Sequence, residues 1–209
     1  DGLQNNYRYI MLAYEEWRSL FELGKLNEPQ SAFFKTKPVE QLFDLSSDPH
    51  ETLNLAGNQE YGAVLLSLRN RLTQKMNAIH DLSFYPENHM VKHALDDGIE
   101  FGQTHAEEIR LLQQTANLAL LPFEQAEEKI RRAMSHDSPL VRYWALTVCS
   151  SFGVKAKPLL KNTAPRLNDP DPLVRVRAAE FIALVSGQDP RPTFYQVLNE
   201  NNGELVSLI

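Results

Sequence analysis

His89 and His93 stand four residues apart, the spacing that sets two imidazoles on one helix face, as metal-binding pairs do. The zincin order His-Glu-x-x-His is missing, and a third ligand would have to come from Glu87 or Asp96. Surface histidines near a helix end are the stronger reading. Asp44, Asp48, His50 and Glu51 form a second titratable cluster, and two carboxylates with a histidine can run acid–base chemistry. Asp48-Pro49-His50-Glu51 is also a capping arrangement, with Asp at N-cap, Pro at N1 and Glu at N3. That gives Asp48 and Glu51 structural work. Arg142, Arg175 and Arg177 resemble an anion ladder, but Asp137, Asp169 and Asp171 are there to pair with them. Trp17, Phe21, Phe33, Phe34 and Phe43 could platform sugars, although core packing accounts for them better. Of Tyr143 and Trp144, one ring is expected on the surface and the other between helices. No catalytic, cofactor-binding or metal residue is therefore assigned.

The elements that must position these residues come from 209 residues with 27 acidic and 21 basic side chains, a net charge of −6. No basic stripe is present, which argues against a protein that tracks a nucleic-acid backbone. No apolar run approaches the roughly 18 residues of a membrane span. The single cysteine, Cys149, excludes an internal disulfide or a zinc cluster built on thiolates. No signal peptide is evident, and the chain opens at Asp1 and closes on residues 203–209, which read as the start of a helix. A piece of a longer polypeptide is expected.

Residues 7–11 and 39–44 are short, aromatic and aliphatic, and read as strands. Between them, residues 15–23 look helical and end at Gly24, and residues 28–34 suggest a short helix. From Glu60, the positions Tyr61, Val64, Leu65, Leu68, Leu72, Met76 and Ile79 form one apolar stripe at spacings of three and four. Arg69, Arg71, Gln74 and Lys75 fall off it. Residues 87–95 suggest another helix, within a connector. From Thr104 only helices are expected: 104–118, 122–134, 139–151, 157–167, 172–186 and 193–199.

Asp137-Ser138-Pro139-Leu140-Val141-Arg142 returns as Asp171-Pro172-Leu173-Val174-Arg175, with Pro-Leu-Val-Arg repeated 33 residues later. Both copies continue into alanines, Ala145 in one and Ala178-Ala179 in the other, and Glu204-Leu205-Val206 begins a third echo. In each full copy Pro stands at the first helical position behind Ser or Asp. The array resembles HEAT repeats, which implies a scaffold or binding surface. The Asp at each junction and the Arg one turn later are expected to bond across units.

The first third is similar to the C-terminal portion of type I sulfatases, hydrolases of the alkaline-phosphatase-like superfamily. The likeness rests on Asn6-Tyr7-Arg8-Tyr9-Ile10, on residues 22–30 followed by Phe33-Phe34, and on Lys37-Pro38-Val39-Glu40-Gln41-Leu42-Phe43-Asp44-Leu45 running into Asp48-Pro49-His50-Glu51-Thr52-Leu53-Asn54-Leu55-Ala56. Phe84-Tyr85-Pro86-Glu87 resembles the tail behind the last helix. In that branch a longer His- and Pro-containing stretch follows the first strand, whereas here Met11 runs almost straight into Tyr14-Glu15-Glu16-Trp17.

The resemblance implies a formylglycine nucleophile made from a Cys/Ser-x-Pro/Ala-x-Arg motif beside a calcium ion. Cys149-Ser150-Ser151-Phe152-Gly153 does not match that motif, and no serine of the chain does. The expectation is a non-catalytic C-terminal piece of a sulfatase, with no cofactor of its own, exported to the periplasm or beyond. Its expected fold is a small α+β subdomain with short antiparallel strands (residues 1–90), a connector (91–103) and an all-α HEAT-like array (104–209). Its expected partners are the missing catalytic domain and a protein or sulfated glycan on the repeats, with neither nucleic acid nor membrane. The alternative is an independent HEAT-like scaffold that binds protein or glycan.

Overall fold

A computed structural model describes residues 6–200, and among them every regular element is a helix. The chain divides into two compact units, residues 1–66 and 67–209. The expected α+β subdomain with antiparallel strands is overturned. Residues 7–9 fall in a short helix, α1 (Asn6–Tyr9), and residues 39–44 form no strand. A strand exists only through a neighbour that takes its backbone bonds, and an isolated pair is marginal. The 39–44 segment instead bonds to the turn behind it: Leu42 N–H donates to Asn54 Oδ1 (3.0 Å), and Leu55 N–H to Leu42 O (2.8 Å).

In the first unit, α2 (Leu12–Glu22) runs up to Gly24, whose φ of +66° is the left-handed conformation expected behind a helix end. A capping box at Asn27 opens α3 (Glu28–Ser31), with the Asn27 side chain accepting from Gln30 N–H and Gln30 answering the Asn27 N–H. A 3-10 turn, Ala32–Phe34, follows. Four of the five aromatic side chains gather, without Phe43: Trp17 stands 4.9 Å from Phe33 and 4.8 Å from Phe34, and Phe21 stacks on Phe34 at 4.7 Å. All of them stay half-buried. Among residues 8–66 only Ser31 is buried, while Ile10 and Leu12 are 76% and 82% exposed. Among the described residues the unit has no buried apolar interior of its own.

The Asp48 cap is also corrected. Asp48 accepts from Thr52 Oγ1 (2.9 Å) and from Leu53 N–H (2.8 Å), which closes a turn in which Glu51 adopts φ +53° and starts no helix. The Asn58 side chain caps the 3-10 turn Gln59–Tyr61 by accepting from Glu60 N–H. Next comes α4 (Gly62–Ala78), within which the unit boundary falls. Its apolar stripe packs only in part: Met76 lies against the buried cluster of Phe84 and Ile109, whereas Leu68, Leu72 and Ile79 are 41%, 60% and 55% exposed. Met76 also meets Gln113, and Arg69 and Thr73, off the stripe, are half-buried as well.

The second unit continues with α5 (Glu87–His93), α6 (Gly98–Thr104), α7 (Ala106–Ala116) and α8 (Phe123–Ala133). The expected start at Thr104 moves, because Asp97 caps α6 through Ile99 and Glu100 N–H and Thr104 is its last residue. Then follow α9 (Pro139–Phe152), α10 (Leu160–Thr163), α11 (Pro172–Ser186) and α12 (Arg191–Glu200). The helix expected over 157–167 is broken into α10 between 3-10 turns, since Pro158 and Pro165 cannot donate helix hydrogen bonds. Pro139 and Pro172 both occupy N1; Asp171 caps its helix through Leu173 and Val174 N–H, while the Ser138 side chain caps nothing.

A core of Ile130, Leu146, Cys149, Leu159 and Phe181 binds α8, α9 and α11, and Ala145 and Ala178, with no exposed surface, lie in it. A second cluster places Phe84 and Tyr85 against Ile109, Leu112 and Val141. No helix among the described residues is long and apolar enough to cross a membrane. The third echo at Glu204-Leu205-Val206 and the last seven residues lie outside the described residues.

Candidate functional site

The histidine pair lies in the second unit beside a cavity of about 430 Å³ lined by Asn88, His89, Lys92, His93, Glu108 and Asp171, among others. His89 stacks on Tyr85 at 4.9 Å and meets His93 at 4.6 Å. Tyr85 Oη donates to Glu108 Oε2 at 2.7 Å, and burial together with that carboxylate pushes the phenol pKa up. Burial first, then the neighbouring His93, holds His89 below the ordinary imidazole value. Glu87 and Asp96 are exposed and bond to neither ring. Among the described residues, no group of three or more His, Cys, Asp or Glu is placed to hold a metal ion.

The carboxylate cluster of the first unit is divided rather than brought together. Asp44 accepts from Ser46 N–H and Oγ and from Ser47 Oγ, bonds that lower its pKa. Leu53 N–H and Thr52 do the same for Asp48, with His50 adding a smaller pull. Two carboxyls both shifted down are the reverse of the acid–base division that catalysis needs.

A cleft of about 840 Å³ lies within the first unit, with Phe33, Lys35, Lys37, Phe43, His50 and Glu51 on its walls. Sequence reasoning weighed Phe33, Phe43, His50 and Glu51 separately and passed over the lysines. Their spacing of two, in a segment between a 3-10 turn and a proline, was the available signal.

The arginines are all engaged. Arg142 pairs with Asp169, and its Nη1 donates to the carbonyls of His136 and Asp137 at 2.8 Å each. Arg175 donates to Asp169 O (3.2 Å) and pairs with Glu200, while Arg177 pairs with Glu180 at 2.6 Å and bonds Tyr143 Oη at 3.1 Å. The bond across the two copies forms, although through Asp169 rather than Asp137 or Asp171. Trp144 Nε1 donates to Phe84 O at 2.7 Å, so Tyr143 and Trp144 are both half-buried and both bonded.

No known protein family matches the chain. No solved structure matches it either. Over 87 residues, 41% of its length, the chain is 41% identical to the ulvan-active sulfatase of Formosa agariphila. The chain carries a sulfatase-related region. It spans 15% of that sulfatase's length. Cys149 has no exposed surface, and burial alone pushes its thiol up to about 12.

Proposed function

We propose that the chain is a non-catalytic, C-terminal part of a sulfatase whose remaining residues hydrolyse a sulfuric ester or sulfamate. The 87-residue likeness at 41% identity carries this reading. The calcium and the formylglycine belong to the parent's catalytic body, which works in the periplasm or outside the cell. Ulvan, on which the relative is active, is the first substrate to offer the parent. The first unit is built to lie against that body. Its exposed Ile10, Leu12, Leu45 and Leu53, with no buried apolar side chain among residues 8–66, support this role. The paired helices of the second unit serve as a HEAT-like repeat scaffold, supported by the 33-residue recurrence of Pro-Leu-Val-Arg at α9 and α11.

Sulfate release from an aryl sulfate tests the proposal. The chain alone is expected to release none, with or without added calcium, and the polypeptide extended upstream is expected to turn over. Metal-dependent turnover by the 209 residues alone would end the reading. An independent scaffold explains the closed core of the second unit equally well, but leaves the exposed apolar side chains of the first unit without a role.

A further inference from the structure

We propose that the cleft of the first unit binds an anionic saccharide, a short sulfated oligosaccharide segment, through Lys35 and Lys37 and the ring of Phe43. The saccharide class rests on the sulfatase reading; the cleft and its lysines do not. At about 840 Å³ the cleft is in the size range of small-ligand sites and exceeds what one sulfate fills.

Its walls divide the work that such a ligand demands. Lys35 leaves the preceding 3-10 turn in extended conformation (φ −89°, ψ 161°). Lys35 and Lys37 both line the cleft and bring two ammonium groups to it, which suits two charged groups on a saccharide rather than one. Both lysines are exposed, and neither makes an ion pair or a side-chain hydrogen bond among the described residues. They contrast with Arg142, Arg175 and Arg177, whose guanidinium groups are already bonded to the protein. Phe43 meets no other aromatic ring among the described residues, whereas Phe33 packs against Trp17 and Phe34 with the Arg8 guanidinium over its ring and forms only part of the wall. A sugar ring offers the Phe43 side chain an apolar C–H face while its hydroxyls point outward.

Hydroxyl partners are present as well. Glu51 is held at φ +53° by the Asp48 turn, an unusual conformation for a residue other than glycine. Its carboxylate has no ion pair among the described residues, and Glu51 lines the cleft with His50, where it can accept hydroxyl donors. Glu28 and Glu51 also line the cleft, so its positive charge comes from the lysine pair, in a chain of net charge −6. A long polyanion such as nucleic acid would meet repulsion beyond those two positions.

The test is calorimetric titration of the 209-residue chain with a sulfated tetrasaccharide prepared from ulvan, its chemically desulfated counterpart, and inorganic sulfate. The sulfated tetrasaccharide is expected to bind, and removing sulfate is expected to weaken it by about tenfold or more, the scale of a lost charge-assisted hydrogen bond. The K35A/K37A double variant should lose a similar factor, and K35R/K37R should keep most of the affinity. Far-UV circular dichroism of each variant should match the parent chain, since both side chains are exposed. Absence of binding, equal affinity for the desulfated sugar, full competition by inorganic sulfate, or unchanged affinity in K35A/K37A would each overturn the proposal. None of these outcomes touches the sulfatase reading, which sulfate release decides.

Discussion

Arg142 grips Asp169 with both arms of its guanidinium, Nη2 to Oδ1 at 2.7 Å and Nε to Oδ2 at 2.9 Å, across 27 residues of sequence. The Asp169 side chain has no exposed surface and that of Arg142 has 10%. Asp169 also accepts from Arg166 (3.2 Å) and from Asp171 N–H (3.1 Å), and its own carbonyl accepts from Arg175. One carboxylate thus ties the start of α9 to the turn that leads into α11.

Asp169→Ala should destabilise the second unit by about 3–5 kcal/mol, because it leaves a buried guanidinium charge uncompensated. Burial alone would raise the Asp169 pKa, but the bonds from Arg142, Asp171 N–H and Arg166 outweigh it and hold the group below its ordinary 3.8. A carboxyl lowered on folding stabilises above its unfolded pKa and loses that contribution as pH falls through the folded value. Urea unfolding should therefore show the full penalty at neutral pH and a smaller one in acid below pH 3.8.

His89 works in the same direction by a different route. Burial and His93 lower its pKa, His105 adds to this, and Glu108 and Asp171 oppose it. An imidazole that protonates less readily in the folded state contributes its full stability above the ordinary 6.5 and loses it as pH drops below that value. Thermal unfolding should thus shift downward between neutral pH and about pH 5.5. His89→Phe, which keeps a ring against Tyr85, should reduce that shift.

Cys149 should resist iodoacetamide in the folded chain, because its buried thiol carries a pKa near 12. Labelling should keep pace with global unfolding in denaturant. Rapid native labelling would contradict the packing of α9.

Gly102 fits α6 closely against the turn after α4. An added Cβ would meet His80 Cβ and the His80 carbonyl at 3.1 Å each. Gly102→Ala gains up to about 1 kcal/mol of helix propensity and incurs about 1–3 kcal/mol of overpacking. Thermal unfolding should show no stabilisation.

The sequence revealed the second unit far better than the first, for physical reasons. Pro139 and Pro172 at N1, with apolar side chains at helical spacing behind them, settle their helices locally, and α8, α9 and α11 form where expected. The strands at residues 7–11 and 39–44 failed because a strand is a property of a pair: residues 7–9 close on themselves as a helix, and Leu42 bonds to the turn at Asn54 and Leu55. Asp48 misled because one side chain can serve either a helix cap or a turn, and Thr52 with Leu53 decided for the turn. The stripe on α4 announced an amphipathic helix without saying whether anything covers Leu72. At the cleft, the individual residues were legible, but their convergence was not, since Phe33 and Phe43 meet only through the fold.

Hydrogen exchange over residues 8–66 tests the central claim most directly, measured in the 209-residue chain and in the polypeptide extended upstream. If this unit is built to rest on a larger body, its amides should exchange quickly in the shorter chain and be strongly protected in the longer one. Equal protection in both would contradict the account.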